Sequence, residues 1–295
     1  MPATHAQHPT AAVSGPSLAP QSESVSTVQF GSRWTASSCT VRNERRDCTN
    51  PKPNEDRVFI DTDRLCVVVA DGITRTKNQD DSYPDPSPSA TAAQVFCDTV
   101  QALIRQAPSI RSTDTLRSIM ASANVAIANF NQRAFPRFDF AERDRAGLAA
   151  VVGIFDEDTL WLASIADCWC LGFKEDTAHR FAWEKTSHSR PEYNRLGEIP
   201  AREALRNRPG NPFAYGALTG EAEALQFVEY ARIPVKDIQR LVFASDGLIR
   251  VAEEDPNALR THSPTEIIRY GRILDRAHNE TDDKTLVVVD RLQTS

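Results

Sequence analysis

Long apolar runs, an excess of basic charge and metal-type cysteine spacing are all missing from this sequence of 295 residues. No window approaches the roughly 18 uninterrupted apolar residues that a bilayer-spanning helix needs, so we expect no such segment. The formal net charge is −6 and the arginines are scattered, which disfavours nucleic acid and anionic membranes as partners. The six cysteines show no CxxC or CxxH spacing, so a structural zinc site is not expected.

The first thirty residues also lack a signal-peptide pattern. They are rich in Pro, Ser, Thr, Ala and Gln, and no charged region precedes an apolar stretch. This composition is typical of a disordered tail, so we assign residues 1–30 to a tail and 31–295 to one domain. Without an export signal we expect a cytoplasmic protein, a monomer, whose cysteines are reduced core thiols. Cys39 and Cys48 are alternatively candidates for pairing.

Short segments rich in Val, Ile, Leu and aromatic residues occupy much of the remaining sequence. Several are apolar on both faces, and many are separated by short turns such as DTD (61–63) and DED (156–158). This spacing is typical of hairpins in antiparallel sheets, and strands apolar on both faces indicate sheets covered on each side. We predict strands at 57–61, 64–70, 148–155, 159–166, 168–174, 179–185, 225–230, 239–245 and 285–292.

Three helices are predicted between and after these strands. Residues 89–107 and 113–133 carry apolar side chains at helical spacing, which favours an antiparallel helix pair. A third helix begins at SPTE (263–266), which has a capping-box pattern. The polar, proline-rich segment 74–89 is predicted to be an exposed loop. The order of elements predicts one α+β domain, with two antiparallel sheets in a sandwich and helices outside.

Acidic residues occur at the ends of four predicted strands. They are Glu55 and Asp56, Asp71 before Gly72, Asp246 before Gly247, and Asp282 with Asp283. Each site alone is also explained as a solvated turn. Together, acids at the ends of buried strands can meet at one sheet edge, where they repel one another unless cations bind between them. Oxygen ligands without nearby Cys or His favour Mg²⁺ or Mn²⁺ over zinc.

Six motifs in this order resemble the metal-dependent protein phosphatases of the PP2C (PPM) family, bacterial type. The motifs are NEDR (54–57), VVVADG (67–72), AGLAAVVGIF (146–155), LASIADCWC (162–170), VFASDGL (242–248) and DDKTLVVVD (282–290). The resemblance covers nearly the whole chain after residue 54. It implies a four-layer αββα sandwich of two antiparallel sheets flanked by helix pairs, with two Mn²⁺ or Mg²⁺ ions at one end.

The resemblance implies a role for each acid of these motifs. The catalytic metal ligands would be Asp56, the bridging Asp71, Asp246 and Asp282. Further contacts would come from Glu55 through water, from the carbonyl of Gly72 and from Asp283 as a supporting residue. Asp167 stands where family members hold a third, weaker ion, and Gly147 is the glycine kept in AGLAAVVG.

The sequence departs from the family at three points. The family's phosphate-binding arginine is replaced by Pro51, so Lys52 or Arg57 becomes the candidate for the substrate phosphate; a lysine cannot make the two-pronged contact of an arginine. The motif ADCWC (166–170) lacks the family's Ser-Arg pair, which argues against a third ion. Arg250 follows the SDGL motif and is either a surface residue or a replacement phosphate contact.

Several other residues have structural interpretations that outweigh catalytic ones. His188 is expected to serve packing or a turn, because the residue type of a histidine alone says little about its role. No His lies between residues 9 and 178, so water or another group would have to replace the acid that the family holds in its first motifs. Ser164 and Ser245 lie at strand ends without a His-Asp partner, so we interpret them as packing or turn residues. Cys66 and Cys97 have no cationic neighbour in sequence and are expected in the core.

The function implied by the resemblance is hydrolysis of phosphoserine and phosphothreonine in phosphoproteins, by attack of a water bridging two metal ions. The alternative is a catalytically inactive regulator with the same fold, which the missing arginine and the altered ADCWC motif favour. The stretches 74–89 and 186–222 are where we expect the substrate to be selected.

Overall fold

Two antiparallel β-sheets form the centre of the molecule. The computed structural model describes residues 25–42, 52–73, 82–107, 112–141, 144–156, 158–278, 280 and 282–292. In spatial order, the six-stranded sheet consists of β1 (Val25–Phe30), β2 (Trp34–Val41), β11 (Lys284–Arg291), β10 (Arg240–Ala244), β7 (Trp169–Lys174) and β8 (Thr177–Ala182). The five-stranded sheet consists of β3 (Arg57–Asp61), β4 (Cys66–Ile73), β5 (Gly147–Asp156), β6 (Thr159–Ile165) and β9 (Glu229–Pro234).

Within the ranges that the structure describes, seven α-helices cover the outer faces or extend from one end. They are α1 (Pro88–Gln106), α2 (Thr113–Ala134), α3 (Arg190–Leu196), α4 (Glu198–Leu205), α5 (Ile249–Glu254), α6 (Pro256–Thr261) and α7 (Pro264–His278). The first two pack on the five-stranded sheet, and the last three pack on the six-stranded sheet. None of the helices in the described ranges is long and apolar enough to cross a bilayer.

The apolar pattern of the central strands explains the layered arrangement. All of β5 except Asp156 is buried, and the first five residues of β4 are fully buried. Both faces of such strands need cover, which the opposite sheet provides on one side and the α1–α2 pair on the other. A second apolar cluster lies between the six-stranded sheet and α5–α7. The αββα sandwich predicted from the sequence is confirmed.

Local signals fix the starts of two helices. The hydroxyl of Ser87 accepts a hydrogen bond from the Ala90 N–H at 3.0 Å, and Pro88 occupies the first helical position of α1. At α7, Glu266 Oε2 accepts from the Ser263 N–H at 2.8 Å. The capping box predicted at SPTE is therefore present.

Some element predictions were wrong. Val25–Phe30 forms β1, within the segment assigned to the tail, and β2 was not predicted. Both strands mix polar with apolar residues, and β1 is an edge strand, so neither carries a strong apolar signal. The segment predicted as a strand at 225–230 begins instead with a 3₁₀ turn at Ala222–Phe227, and β9 follows at Glu229.

Parts of other predictions fall outside the described residues. These are residues 1–24 of the tail, Cys48, Pro51 and positions 74–81 of the predicted loop. Cys66, Cys97, Cys168 and Cys170 are buried thiols without a disulfide, as expected. Cys39 is buried in β2 as well.

Candidate metal centre and adjoining cleft

The acidic residues singled out in the sequence come from both sheets and meet at one end of the sandwich. Asp56 directly precedes β3, and Asp71 lies near the end of β4, both in the five-stranded sheet. Asp246 follows β10, and Asp282 precedes β11, in the six-stranded sheet. Because β3 runs antiparallel to β4 and β10 to β11, the start of one strand and the end of its neighbour share an edge.

Three carboxylates form a tight group at this end. Asp71, Asp167 and Asp246 each place one oxygen within 4.8 Å of the others. Asp167 reaches the group from the turn between β6 and β7, where the chain passes from one sheet to the other. Three oxygens at this separation suit a hard divalent cation. Asp167, which the sequence assigns only to a third ion, thus lies beside two of the principal predicted ligands.

Asp56 contributes a buried oxygen that fits a metal ligand. The residue is 2 % exposed, and its Oδ2 accepts a hydrogen bond from the Ser245 hydroxyl at 2.8 Å. Its Oδ1 has no hydrogen-bond partner among the described residues. An orphaned carboxylate oxygen is costly to bury, and a cation supplies the missing partner.

Burial makes the charged forms of these acids unfavourable in the absence of a cation. Burial, and then the charges of Asp283 and Asp282, raise the pKa of Asp56 to about 7. Burial and the neighbouring carboxylates also raise the pKa values of Asp71 and Asp246 well above the usual range. Divalent cations relieve both causes at once, because they replace the lost hydration and offset the mutual repulsion.

Glu55 and Asp283 support the group from behind. Glu55 is fully buried and accepts a hydrogen bond from the hydroxyl of Ser87, the residue that caps α1. Its backbone N–H donates to Asp283 Oδ2 at 2.9 Å. Asp283 therefore joins the loop before β11 to the loop before β3, and its supporting role toward a metal ion stays a prediction.

Two glycines allow backbone segments to approach closely here. A Cβ atom at Gly72 would lie 2.8 Å from the Ser89 carbonyl oxygen, and one at Gly247 would lie 1.9 Å from the Asp283 oxygen. Gly72 also donates its N–H to the Glu55 carbonyl at 3.3 Å. The structure thus explains both glycines by packing, whereas the carbonyl–metal contact expected for Gly72 stays a prediction.

The two predicted phosphate-binding cations are placed very differently. Lys52 lines the cleft, with Nζ 3.1 Å from Glu55 Oε2 and 3.9 Å from Asp282 Oδ1. Burial opposes its charge, but Glu55, Asp282 and nearby aspartates raise its pKa above the ordinary value. Arg57 donates to the carbonyls of Asn54 and Asp56 at 3.0 and 2.7 Å and does not line the cleft. This placement does not support a phosphate-binding role for Arg57.

The cleft has a volume of about 390 Å³ and two contrasting sides. One side carries Lys52 and four carboxylates, those of Asp71, Asp167, Asp246 and Asp282. The other side comes from the chain between β8 and β9 and includes Arg190, Tyr193 and Tyr215. A polar cleft that adjoins an acidic cluster can hold an anionic substrate against bound cations.

Other candidates from the sequence occupy structural positions. The ring of His188 is hydrogen-bonded through Nε2 to the Ala214 carbonyl at 2.9 Å, in keeping with the turn role expected. Arg250 forms a two-pronged ion pair with Glu280 and lies 3.7 Å from Glu254, so it is a surface residue. Ser245, interpreted from the sequence as a packing residue, instead contacts Asp56.

Comparisons with known proteins find the same architecture in solved structures. No protein-family model matches the chain, and no curated protein matches it in sequence. The catalytic domain of the serine/threonine phosphatase PstP, in complex with two manganese ions, aligns with a TM-score of 0.61 at 19% identity, covering 88% of this chain and 99% of that domain.

Two further bacterial structures give the same result. PppA, a regulatory component of the type VI secretion system of Pseudomonas aeruginosa, aligns with a TM-score of 0.61 at 17% identity, covering 90% of this chain and 100% of PppA. Stp1, a serine/threonine phosphatase of Staphylococcus aureus, aligns with a TM-score of 0.61 at 14% identity, covering 88% of this chain and 95% of Stp1. At these identities the likeness shows a shared fold.

Proposed function

We propose that this protein is a metal-dependent phosphatase that hydrolyses phosphoserine and phosphothreonine in proteins. The observation that carries the proposal is the convergence of Asp71, Asp167 and Asp246 within 4.8 Å, beside the orphaned oxygen of Asp56. Bound divalent cations would balance the charge of such a buried acidic group. The PstP domain of the same fold was solved with two manganese ions, which supports Mn²⁺ or Mg²⁺ as the cofactor.

The aspartates of the site would together coordinate two ions. Asp71 and Asp246, from different sheets, would hold the ions together with Asp56 and Asp282. Asp167 would add an oxygen next to Asp71 and Asp246 and would be the ligand of a third, weaker ion. Divalent ions lower the pKa of water and offset the negative charge on a phosphoryl group.

The protein's own groups position the substrate and shape the site. The ligands lie on strand ends, so their geometry is fixed by the sheets. Cys66, Cys97, Cys168 and Cys170 are buried in the core, and no described Ser or Cys in the cleft has a His partner. The chemistry therefore proceeds without a covalent phosphoenzyme. We take the substrate to be a phosphoprotein and this protein to be a cytoplasmic monomer, with no role for nucleic acid or membranes.

The test compares turnover and metal binding in matched variants. Purified protein should hydrolyse an aryl phosphate with Mn²⁺ or Mg²⁺ and lose this activity with a chelator. Asp71→Asn and Asp246→Asn should each lower kcat by at least ~100-fold, because each removes a ligand charge. Asp237→Asn is the control, since Asp237 lies in the turn at the opposite end of β10 and is 62% exposed. Retained turnover in both ligand variants would contradict the proposal.

An inactive regulator of the same fold is the second candidate. The observation in its favour is the ammonium of Lys52, which lies between Glu55 and Asp282 and competes with a cation for them. Titration calorimetry with Mn²⁺ separates the two candidates. A phosphatase should bind Mn²⁺ in the wild type and lose binding in Asp71→Asn, whereas a degraded site should bind no Mn²⁺ in either form.

A further inference from the structure

One face of helix α3 lines the same cleft as the acids. Arg190, Tyr193 and Asn194 all line the cleft, and their spacing of three and four residues places them on the same side of the helix. Tyr215 adjoins them, with its ring centroid 6.5 Å from that of Tyr193. Helix α3 therefore contributes Arg190 and Tyr193 to the cleft that also holds the acids, and Tyr215 joins them from the chain after α4.

The charges at this end of the sandwich leave a need for another cation. Seven carboxylates lie in or behind the site: Glu55, Asp56, Asp71, Asp167, Asp246, Asp282 and Asp283. Two divalent ions and Lys52 supply five positive charges against these seven negative ones. A phosphate monoester brings up to two more negative charges, so a further basic group is needed to hold it there.

Among the described residues that line the cleft, the basic side chains are Lys52 and Arg190. Lys52 is already engaged with Glu55 and Asp282. Arg190 is exposed, and its side chain forms no hydrogen bond and no ion pair within 4.0 Å with any residue that the structure describes. Its guanidinium is available for a ligand.

The competing interpretation is a surface ion pair between Arg190 and Glu280. The charge of Arg190 does contribute to lowering the pKa of Glu280, but hydrogen bonds from Arg250 are the main cause. Both carboxylate oxygens of Glu280 are taken by the two-pronged contact with Arg250. An ion pair with Glu280 therefore does not compete strongly with a ligand in the cleft for Arg190.

The backbone that carries Arg190 is held firmly. Glu184 accepts hydrogen bonds from the Thr186 hydroxyl and the Ser187 N–H at 2.5 and 2.6 Å. The buried Ser189 donates its hydroxyl to the Thr186 carbonyl at 2.5 Å. A side chain without a hydrogen-bond partner among the described residues, on a fixed backbone, suits a residue that binds a substrate group, because little order is lost from the main chain.

We propose that Arg190 binds the phosphoryl group of the substrate in the cleft that it lines together with the acidic cluster. The inference rests on the proposed function, since it takes the acidic cluster to be loaded with divalent ions. An arginine can hold two phosphate oxygens through parallel N–H donors, whereas Lys52 acts as a point charge already shared with carboxylates. Tyr193 and Tyr215 then contact the substrate chain beside the phosphorylated residue.

The test measures binding of inorganic phosphate to the full-length Mn²⁺-loaded protein by calorimetry, for wild type, Arg190→Ala and Arg190→Lys. We expect Arg190→Ala to weaken phosphate binding by about 10- to 100-fold, as loss of charge-assisted hydrogen bonds does. Arg190→Lys should recover part of the loss. Mn²⁺ affinity should stay unchanged in both variants, because neither touches an acid of the cluster. With an aryl phosphate, the loss should appear mainly in KM.

Arg195→Ala is the matched control, because Arg195 lies on the same helix, is paired with Glu192 and does not line the cleft. It should bind phosphate as the wild type does. A phosphate affinity of Arg190→Ala within twofold of wild type, with normal Mn²⁺ binding, overturns the assignment. The ratio of phosphate affinities between wild type and Arg190→Ala tests the role of Arg190 even if the wild type does not turn over substrate. A failure of the phosphatase activity alone is therefore distinguished from a failure of the Arg190 assignment. Wild-type protein that binds Mn²⁺ but no phosphate overturns both proposals.

Discussion

The hydroxyl of Ser245 donates a hydrogen bond to Asp56 Oδ2 at 2.8 Å and accepts one from the Thr285 N–H at 3.1 Å. Ser245 follows β10, Thr285 lies in β11, and Asp56 precedes β3. One buried hydroxyl thus joins the six-stranded sheet to the start of the five-stranded one. It also fixes which oxygen of Asp56 is left for a cation.

Replacing this hydroxyl should loosen Asp56 without removing a ligand. We expect Ser245→Ala to weaken Mn²⁺ binding by roughly 10-fold or more, the effect typical of residues that orient metal ligands. Calorimetric titration with Mn²⁺ measures it. Ser164→Ala is the control, because Ser164 is also buried at a strand end but lies 3.4 Å from Lys185 and contacts none of the acids. Equal Mn²⁺ affinity in both variants would show that Ser245 has no orienting role.

Cation binding should stabilise the fold as well as the site. Because the ligands come from both sheets, ions that bind only the folded state add about 2.7 kcal/mol at a concentration 100 times the dissociation constant. The melting temperature should therefore rise with Mn²⁺ in the wild type and in Asp237→Asn. Asp71→Asn should show little rise. Differential scanning fluorimetry measures the melting temperatures. An equal rise in melting temperature in all three proteins would indicate that the cation binds elsewhere.

The buried Lys284 should matter more for stability than an exposed lysine. It is 2% exposed, pairs with Asp275 on α7 and donates to the Asp282 carbonyl at 3.1 Å. Lys284→Met should cost about 3 kcal/mol or more in the free energy of unfolding, since Asp275 is left partly buried without its counter-ion. Urea denaturation measures this cost.

The control for Lys284 is Lys174→Met, which breaks an exposed pair with Asp237. Exposed pairs contribute little, so the urea midpoint of this variant should match that of the wild type. If both variants unfold alike, the buried pair does not support the fold. If Mn²⁺ affinity falls in Lys284→Met but not in Lys174→Met, the pair of Lys284 and Asp275 also positions Asp282.

Glu221 should make the protein sensitive to acid. Its carboxylate accepts from the Thr219 hydroxyl at 2.7 Å and from Asn207 at 3.0 Å, and it pairs with Arg145 at 2.9 Å. Burial is the largest influence and opposes the charge, but these hydrogen bonds and the nearby arginines lower the pKa of Glu221 below its ordinary value of 4.5. The charged form therefore stabilises the fold above about pH 4.5, and this contribution is lost as pH falls further.

Glu221→Gln should remove that contribution. At pH 7 the variant should be less stable than the wild type by about 1 kcal/mol or more, and the difference should shrink as the pH is lowered below 4.5. Thermal melts between pH 3 and 7 measure it. Glu223→Gln, two residues away on an exposed position, should follow the wild type throughout. A constant difference across this pH range would rule out the titration of Glu221 as its cause.

The acids of the site could be predicted because they obey a local rule. Each lies at the end of an apolar strand, where such acids can meet at one sheet edge, and the resemblance of the motifs to a known family implies that they do. Asp71 and Asp246 are found together as the pattern indicates. The neighbouring Asp167 was harder to rank, because its closeness depends on how the chain crosses between sheets at β6 and β7.

Other parts of the site depend on contacts between distant segments. Ser245 and Asp56 are 189 residues apart, and nothing in the sequence around either serine distinguishes Ser245 from Ser164. Arg190 lies in a segment whose arginines are equally explained as solvated charge until α3 shows which of them faces the cleft. Arg57 and Lys52 flank the same motif, and only the fold shows that one faces the backbone and the other the acids.

Strand β11 lies between β2 and β10, and Thr40 on β2 is hydrogen-bonded to Thr285 on β11, 245 residues further along the chain. During synthesis on the ribosome, the edge of β2 that pairs with β11 therefore stays unpaired until almost all of the described chain has been made. Such long-range pairing is slow and leaves open strand edges prone to aggregation. Recombinant yield should accordingly improve with slow expression and chaperone supply.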